Sequence, residues 1–159
     1  LQFQKGKDFA SLNVQTNIPL VVGNTKIERS TGELVAMVSR MRDHYPIITN
    51  LIIRIGGKIA LDAVEALRKG DLQTAGELMN INHALLCAVG VSHESLERLV
   101  YAARKGGALG AKLTGGGGGG CMIALAEAGK LKRVVKAIER VGGSAFVARK
   151  TDQGVRIER

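Results

Sequence analysis

Six consecutive glycines, Gly115–Gly120, constrain this chain more than any other feature of its sequence. The short apolar segments on either side, Leu109–Leu113 and Cys121–Leu125, predict two β-strands. Side-chain packing does not explain glycines at this point, so we expect their use to lie in the backbone. Without Cβ atoms the loop can adopt positive φ angles and bring its amides close to an anion, as phosphate-binding nests do. The alternative is a tight or flexible connection that binds nothing.

Helical periodicity and capping residues predict four helices before this loop. The first begins at the capping box Ser30-Thr31-Gly32-Glu33, in which the Ser30 hydroxyl bonds a free amide of the first turn, and runs to about Asp43. The others are Pro46–Lys69, a helix capped by Asp71 that ends at Gly90, and a helix capped by Ser92 that ends at Gly106-Gly107.

Further strands and a helix complete the predicted fold. They are a strand at Ile18–Val22, a helix at about Gly129–Val141, and a hairpin of Ser144–Arg149 with Val155–Glu158. The order of elements predicts a single α+β domain with helices packed on a small antiparallel sheet. The sequence does not begin with Met, and its first residues alternate apolar and polar, so we expect a fragment that begins inside a strand.

Charge and composition narrow the classes of ligand. A net charge of +9 attracts polyanions, but 3% aromatic residues and the absence of Trp argue against binding of single-stranded nucleic acid. A phosphate-bearing small molecule fits better, and an ordinary solvated basic surface remains an alternative. No stretch approaches the roughly 20 apolar residues that span a bilayer, so we expect no membrane partner.

Cysteine and histidine positions predict no zinc site. Cys87 and Cys121 lie far apart in the sequence, and His44, His83 and His93 do not form a Cys/His cluster with them. We therefore expect no metal ligands in this chain and a reducing, cytoplasmic setting.

The glycine run and its flanks resemble a known motif. Ala111-Lys112-Leu113-Thr114-Gly115, followed by Gly117–Gly120 and Cys121, is similar to the third signature motif of the GHMP small-molecule kinases. It is not a Walker loop, because no Gly-Lys-Ser/Thr ending follows it. The form resembles that of the mevalonate kinase family, with Gly116 where that family usually has Ala.

Two more segments resemble the same family in the same order. Gly23-Asn24-Thr25-Lys26, followed by Ser30-Thr31, is similar to its strand-to-helix segment on the active-site side. Asn82-His83, followed by Gly90-Val91-Ser92-His93, is similar to its paired-helix segment. Together the three cover roughly residues 21–125.

The resemblance implies the carboxy-terminal domain of a kinase that uses ATP and Mg²⁺ to phosphorylate the 5-hydroxyl of mevalonate in isoprenoid synthesis. It implies a ferredoxin-like sheet, with residues 1–26 as remnant strands of the amino-terminal domain or an interdomain connection, and 27–159 as the carboxy-terminal domain. The principal phosphate loop, the Mg²⁺ ligands and the catalytic Asp would precede Leu1, so we expect the isolated chain to be inactive. The expected partners are mevalonate, ATP, the amino-terminal domain and, as a candidate, a second copy of the chain.

The predicted residues near substrate or phosphate are Lys26, Thr31, Thr114, Gly115, Gly116, Gly117 and Gly118, and the candidates for lining the pocket are His93 and Lys112. Several have ordinary alternatives: Thr31 in helix capping, Lys26 as a solvated charge, Lys112 in a structural ion pair. His83 is expected to be a hydrogen-bonded structural residue. Replacing Gly117 by Val is expected to slow catalysis with the fold intact.

Three other functions remain open at this stage. The nearest is another GHMP enzyme such as phosphomevalonate kinase. The second is a noncatalytic anion- or RNA-binding module, and the third is a structural domain of a degenerate kinase.

Overall fold

The computed structural model describes residues 18–149, except Arg29, together with Gly6. The strands are β1 (Leu20–Asn24), β2 (Gly110–Leu113), β3 (Cys121–Leu125) and β4 (Ser144–Ala148). The helices are α1 (Thr31–His44), α2 (Pro46–Arg68), α3 (Leu72–Ala88), α4 (Glu94–Lys105) and α5 (Leu131–Arg140), the last preceded by a short 3-10 helix, Ala128–Lys130. The strand expected at the start of the chain and the predicted strand Val155–Glu158 lie outside the described residues.

The strands form one antiparallel sheet in the order β2-β3-β1-β4. This is the α+β, ferredoxin-like arrangement that the sequence predicted. Strand β1 lies in the interior of the sheet, paired with β3 on one side and β4 on the other. Residues 20–24 therefore share a sheet with the later strands, while the assignment of residues 1–26 to another domain stays a prediction.

Helices α4 and α5 cover one face of the sheet and enclose the main core. The helical spacing of Leu96, Leu99, Val100 and Ala103 predicts one inward face for α4, and all four residues are buried. These side chains pack with those from the sheet and from Val134 and Ile138 of α5. The rigid base of the glycine loop is thus built from the strands that this core supports.

Helix α3 contacts β2 through two glycines. A Cβ atom added to Gly110 would lie 2.1 Å from the carbonyl oxygen of Gly76, and one added to Gly76 would lie 2.6 Å from the backbone of Leu109. Only glycine permits this backbone approach. The Asn80 side chain reinforces the contact, since it donates to the Leu109 carbonyl at 3.2 Å and accepts from the Ala111 amide at 3.0 Å.

Two of the three predicted helix caps are wrong. Ser30 stands at the N-cap of α1 but makes no side-chain hydrogen bond there. The cap of α4 is His93, whose Nδ1 accepts from the Ser95 amide at 3.2 Å, because Ser92 donates its hydroxyl to Glu97 instead. The prediction for α3 is confirmed: the Asp71 carboxylate accepts from the Thr74 amide at 2.9 Å.

Helical spacing of apolar residues between Pro46 and Lys69 predicts a continuous apolar face for α2, but only its second half is buried. Ile59 and Ala66 are buried, whereas Ile48, Leu51 and Ile55 are exposed by 56%, 49% and 48%. Helix α1 has no buried residue. Among the described residues, no helix has the length and apolar character needed to cross a membrane.

Candidate functional site

An open pocket of about 330 Å³ lies between the glycine loop, the segment after β1 and the first turn of α1. Its lining residues are Ile27, Glu28, Thr31, Thr114, Gly116, Gly117, Gly119, Gly120 and Cys121. Four of the predicted site residues therefore meet here: Thr31, Thr114, Gly116 and Gly117. Thr31 lies against the loop, because a Cβ atom at Gly116 would lie 3.0–3.1 Å from its side chain.

The turn between α3 and α4 braces the middle of the loop. The Gly118 amide donates to the carbonyl oxygen of Val91 at 2.8 Å. At Gly117, where φ is +85°, a Cβ atom would lie 2.0 Å from that same oxygen. The expectation that Gly117→Val would leave the fold intact is therefore wrong, since any side chain here displaces the brace.

Ile27 braces the other end of the loop. Its carbonyl oxygen accepts from the Gly120 amide at 2.7 Å, and a Cβ atom at Gly119 would lie 2.7 Å from it. The Thr25 amide donates to the Gly120 carbonyl at 2.8 Å. Sequence reasoning missed both Val91 and Ile27, because each acts through its backbone and its side-chain type carries no signal.

Two amides of the loop are hydrogen bonded within the chain, and two others have no acceptor among the described residues. Those of Gly118 and Gly120 are hydrogen bonded within the chain, whereas no described residue accepts from those of Gly116 and Gly117. Free amides in a pocket suit the oxygens of a phosphate or carboxylate. The lining includes a single carboxylate, Glu28, which is too few for a protein cage around Mg²⁺, an ion that usually keeps waters and substrate phosphates as ligands.

The remaining predicted residues do not line the pocket. Gly115 is exposed, and Gly118 is buried against Val91. Lys26 is exposed in a turn with φ of +63°, and its amide donates to the Asn24 side chain at 2.8 Å. This turn redirects the chain from β1 toward the pocket.

Lys112 faces away from the glycine pocket. It lines a groove of about 240 Å³ between α2 and α3, beside Ile59, Leu78 and Met79. Its ammonium donates to the Leu113 carbonyl at 2.8 Å and forms no ion pair with any residue in the described part of the chain, so the ion pair stays a prediction. Burial lowers the pKa of Lys112.

A cluster behind the loop contradicts the expectation that no cysteine and histidine meet. His83 Nε2 lies 3.1 Å from Glu97 Oε1, and the Cys87 Sγ lies 3.7 Å from His83 Nε2 and 3.2 Å from Glu97 Oε1. His83 is 3% exposed and accepts at Nδ1 from the Leu113 amide, which confirms it as a hydrogen-bonded buried residue. The four-residue spacing of His83 and Cys87 on a predicted helix was the signal that could have found them.

Burial and hydrogen bonds shift the pKa values of all three groups in this cluster. Burial lowers the pKa of His83 despite the neighbouring Glu97 carboxylate. Burial also works to raise the pKa of Glu97, but hydrogen bonds from Ser92 and Cys87 outweigh it and leave the pKa below its usual value. Burial, with the hydrogen bond to Glu97, raises the pKa of the Cys87 thiol.

Comparison with known protein families places the chain in a kinase superfamily. The family model described as GHMP kinases C terminal matches residues 63–144, and the chain belongs to this family. This confirms the superfamily that the glycine motif indicated.

The relatives share one particular name. The mevalonate kinase of Pyrococcus abyssi is 48% identical over 146 residues, which are 89% of this chain and 43% of that protein. That of Thermococcus gammatolerans is 47% identical over 163 residues, covering 99% of this chain and 48% of its own length. The structure of L. major mevalonate kinase in complex with R-mevalonate superposes with a TM-score of 0.83 at 38% identity, over 92% of this chain and 46% of that one. The chain thus spans about half the length of the curated relatives it matches.

Proposed function

We propose that this chain is the carboxy-terminal part of an ATP-dependent mevalonate kinase, which phosphorylates the 5-hydroxyl of mevalonate in isoprenoid synthesis. The observation that carries the proposal is the glycine pocket, which Thr31 at the start of α1 lines together with Gly116 and Gly117, whose amides have no acceptor among the described residues. The similarity to a kinase crystallised with R-mevalonate supports the choice of substrate.

The pocket would act by positioning. Phosphoryl transfer depends mainly on the alignment of two substrates and on neutralising the charge that develops between them. The Gly116 and Gly117 amides would contact anionic oxygens, and the Thr31 hydroxyl would lie beside the acceptor, where the positive end of the α1 dipole favours negative charge. ATP and Mg²⁺, when bound, supply the phosphoryl group and counter its charge.

The remaining machinery would belong to the other half of the parent protein. We assign the principal phosphate loop, the Mg²⁺ ligands and the catalytic carboxylate to it, in keeping with the double length of the relatives. The exposed apolar side chains of α2, including Ile48, Leu51 and Ile55, support an interface with that half, since such patches mark contact surfaces. A second copy of the chain is the alternative occupant. A cytoplasmic setting fits the two free cysteines, Cys87 and Cys121.

A coupled assay of ADP release, carried out on the parent protein and on this chain alone, tests the assignment of the catalytic groups to the other half of the parent. We expect turnover with mevalonate for the parent and none for the chain. Turnover by the chain alone would contradict the assignment of the catalytic groups. Turnover by the parent with 5-phosphomevalonate but not with mevalonate would instead identify a phosphomevalonate kinase.

Substitution of two adjacent hydroxyl-bearing residues, Thr31 and Ser30, tests the role of the pocket. Thr31→Ala in the parent should lower kcat/KM for mevalonate, because the hydroxyl lines the pocket. Ser30→Ala is the matched control, since Ser30 is exposed, makes no capping hydrogen bond and does not line the pocket. Equal effects of the two substitutions would count against the proposed site.

A further inference from the structure

The cluster of His83, Cys87 and Glu97 has the composition of a transition-metal site. An imidazole nitrogen, a thiol sulfur and a carboxylate oxygen lie within 4.8 Å of one another. Two of the three come from adjacent turns of α3 and the third from the first turn of α4, so rigid elements hold all of them. No step of the proposed kinase reaction uses them.

The spacing of the three atoms comes within about 0.2 Å of that expected for tetrahedral coordination. With Zn–N, Zn–O and Zn–S bonds of about 2.0–2.3 Å, ligand atoms of a tetrahedral zinc ion are separated by about 3.3–3.6 Å. The distances between the atoms here are 3.1, 3.2 and 3.7 Å. Small side-chain movements would therefore place a single ion at bonding distance from all three.

We propose that His83 Nε2, Cys87 Sγ and Glu97 Oε1 form a site for a borderline-soft divalent ion of the zinc class. The Ser92 hydroxyl, which donates to the same Glu97 oxygen, or a water molecule would complete the coordination. The thiol and imidazole favour zinc or cobalt over magnesium, which prefers oxygen ligands. The site is separate from the glycine pocket, and the inference does not depend on the kinase activity.

Charge and proton balance are compatible with such an ion. On binding, the Cys87 thiol loses its proton to solvent, so that thiolate and carboxylate together balance the two positive charges. The Leu113 amide donates to Nδ1 at 3.3 Å, which places the ring proton on Nε2 in the metal-free cluster. Ligation moves that proton to Nδ1 and sacrifices this long hydrogen bond. The Arg104 guanidinium, which acts electrostatically on all three groups, opposes the ion and limits its affinity.

An ion can reach the cluster from solvent. The Glu97 side chain is 49% exposed, and Cys87 is partly exposed, while His83 closes the inner side at 3% exposure. Entry therefore requires no opening of the core. His83 forms the buried wall of the site, because its ring lies between β2 and Glu97.

Cobalt substitution tests the site directly, with the two cysteines as a matched pair. The full chain, reduced and freed of metal by a chelator, is titrated with Co²⁺ and followed by absorption. We expect a thiolate-to-cobalt charge-transfer band and the visible bands of tetrahedral cobalt, both displaced by one equivalent of Zn²⁺. The charge-transfer band should be lost in Cys87→Ser and retained in Cys121→Ser, because Cys121 lies at the glycine pocket and not in the cluster.

Glu97→Gln is a second test of the site. Because the Glu97 side chain is partly exposed, this substitution should leave the chain folded. It should weaken cobalt binding at least about tenfold, as loss of a ligand does, with an unchanged far-ultraviolet dichroism spectrum. Three results would overturn the proposal: no charge-transfer band in the unaltered chain, a band that survives in Cys87→Ser, or equal loss in Cys121→Ser. In each of these cases the cluster is only a hydrogen-bonded brace between α3 and α4.

Discussion

Alanine at Gly117 should destabilise the domain more than alanine at Gly115, although both glycines have the same type of backbone conformation. Their φ angles are +85° and +77°. A Cβ atom at Gly117 would lie 2.0 Å from the Val91 oxygen, whereas one at Gly115 would have nothing within 4 Å. Comparing the two alanine variants therefore separates the cost of backbone strain, which both share, from the cost of the collision with the Val91 oxygen.

The magnitude follows from these two terms. A left-handed conformation costs an L-residue roughly 1–2 kcal/mol, which both variants share. Both also reduce the entropy of the unfolded chain by the same amount, so this effect cancels in the comparison. At Gly117 the Val91 carbonyl must also move more than about 1 Å, which breaks the Gly118 hydrogen bond, worth about 0.5–1.5 kcal/mol. We expect Gly117→Ala to be the less stable variant by about 1 kcal/mol or more.

Denaturant and thermal unfolding of the chain measure this difference. For a domain of this size, about 1 kcal/mol corresponds to a midpoint lower by roughly 2–4 °C. In the parent enzyme, Gly117→Ala should also lower kcat, because the loop loses its brace. Equal unfolding free energies for the two variants would refute the reasoning, since they would show that Val91 does not hold the loop.

Three other perturbations have definite expected outcomes. Gly110→Ala should lower the unfolding midpoint strongly, because its Cβ would lie 2.1 Å from the Gly76 oxygen and separate α3 from β2; a midpoint unchanged in a thermal melt would contradict that packing. Hydrogen bonds from Thr74 lower the pKa of Asp71, so its capping contribution should be present above its ordinary value of 3.8 and be lost as the pH falls below it. Melts of Asp71→Asn and the unaltered chain across this pH range should therefore converge in acid, and a gap that persists there would argue against an ionised cap. Gly116→Ala places a methyl group 3.0–3.1 Å from the Thr31 side chain, so it should change KM for mevalonate in the parent more than it changes stability. Kinetics identical to those of the unaltered enzyme would show that Gly116 and Thr31 do not touch substrate.

Local sequence signals determined most of the fold and the position of the site. The spacing of Leu96, Leu99, Val100 and Ala103 marked the buried face of α4, which needs only helical periodicity. The glycine run determined that a loop with positive φ angles separates β2 from β3, because few other residues adopt that conformation. Thr31 could be placed near it only through the resemblance of the motifs.

Tertiary structure decided the contacts that act over long sequence distances. The carbonyl of Val91 supports the loop through its backbone, which every residue type shares, so no sequence pattern can mark it. Ser92 does not cap α4 as expected, because its hydroxyl donates a hydrogen bond to the charged Glu97 carboxylate instead. The same carboxylate, brought near α3 by the turn that joins α3 to α4, lies against His83 and Cys87 and makes one cluster with them. Local spacing controls where helices and strands form, whereas their packing alone brings distant polar groups within bonding distance.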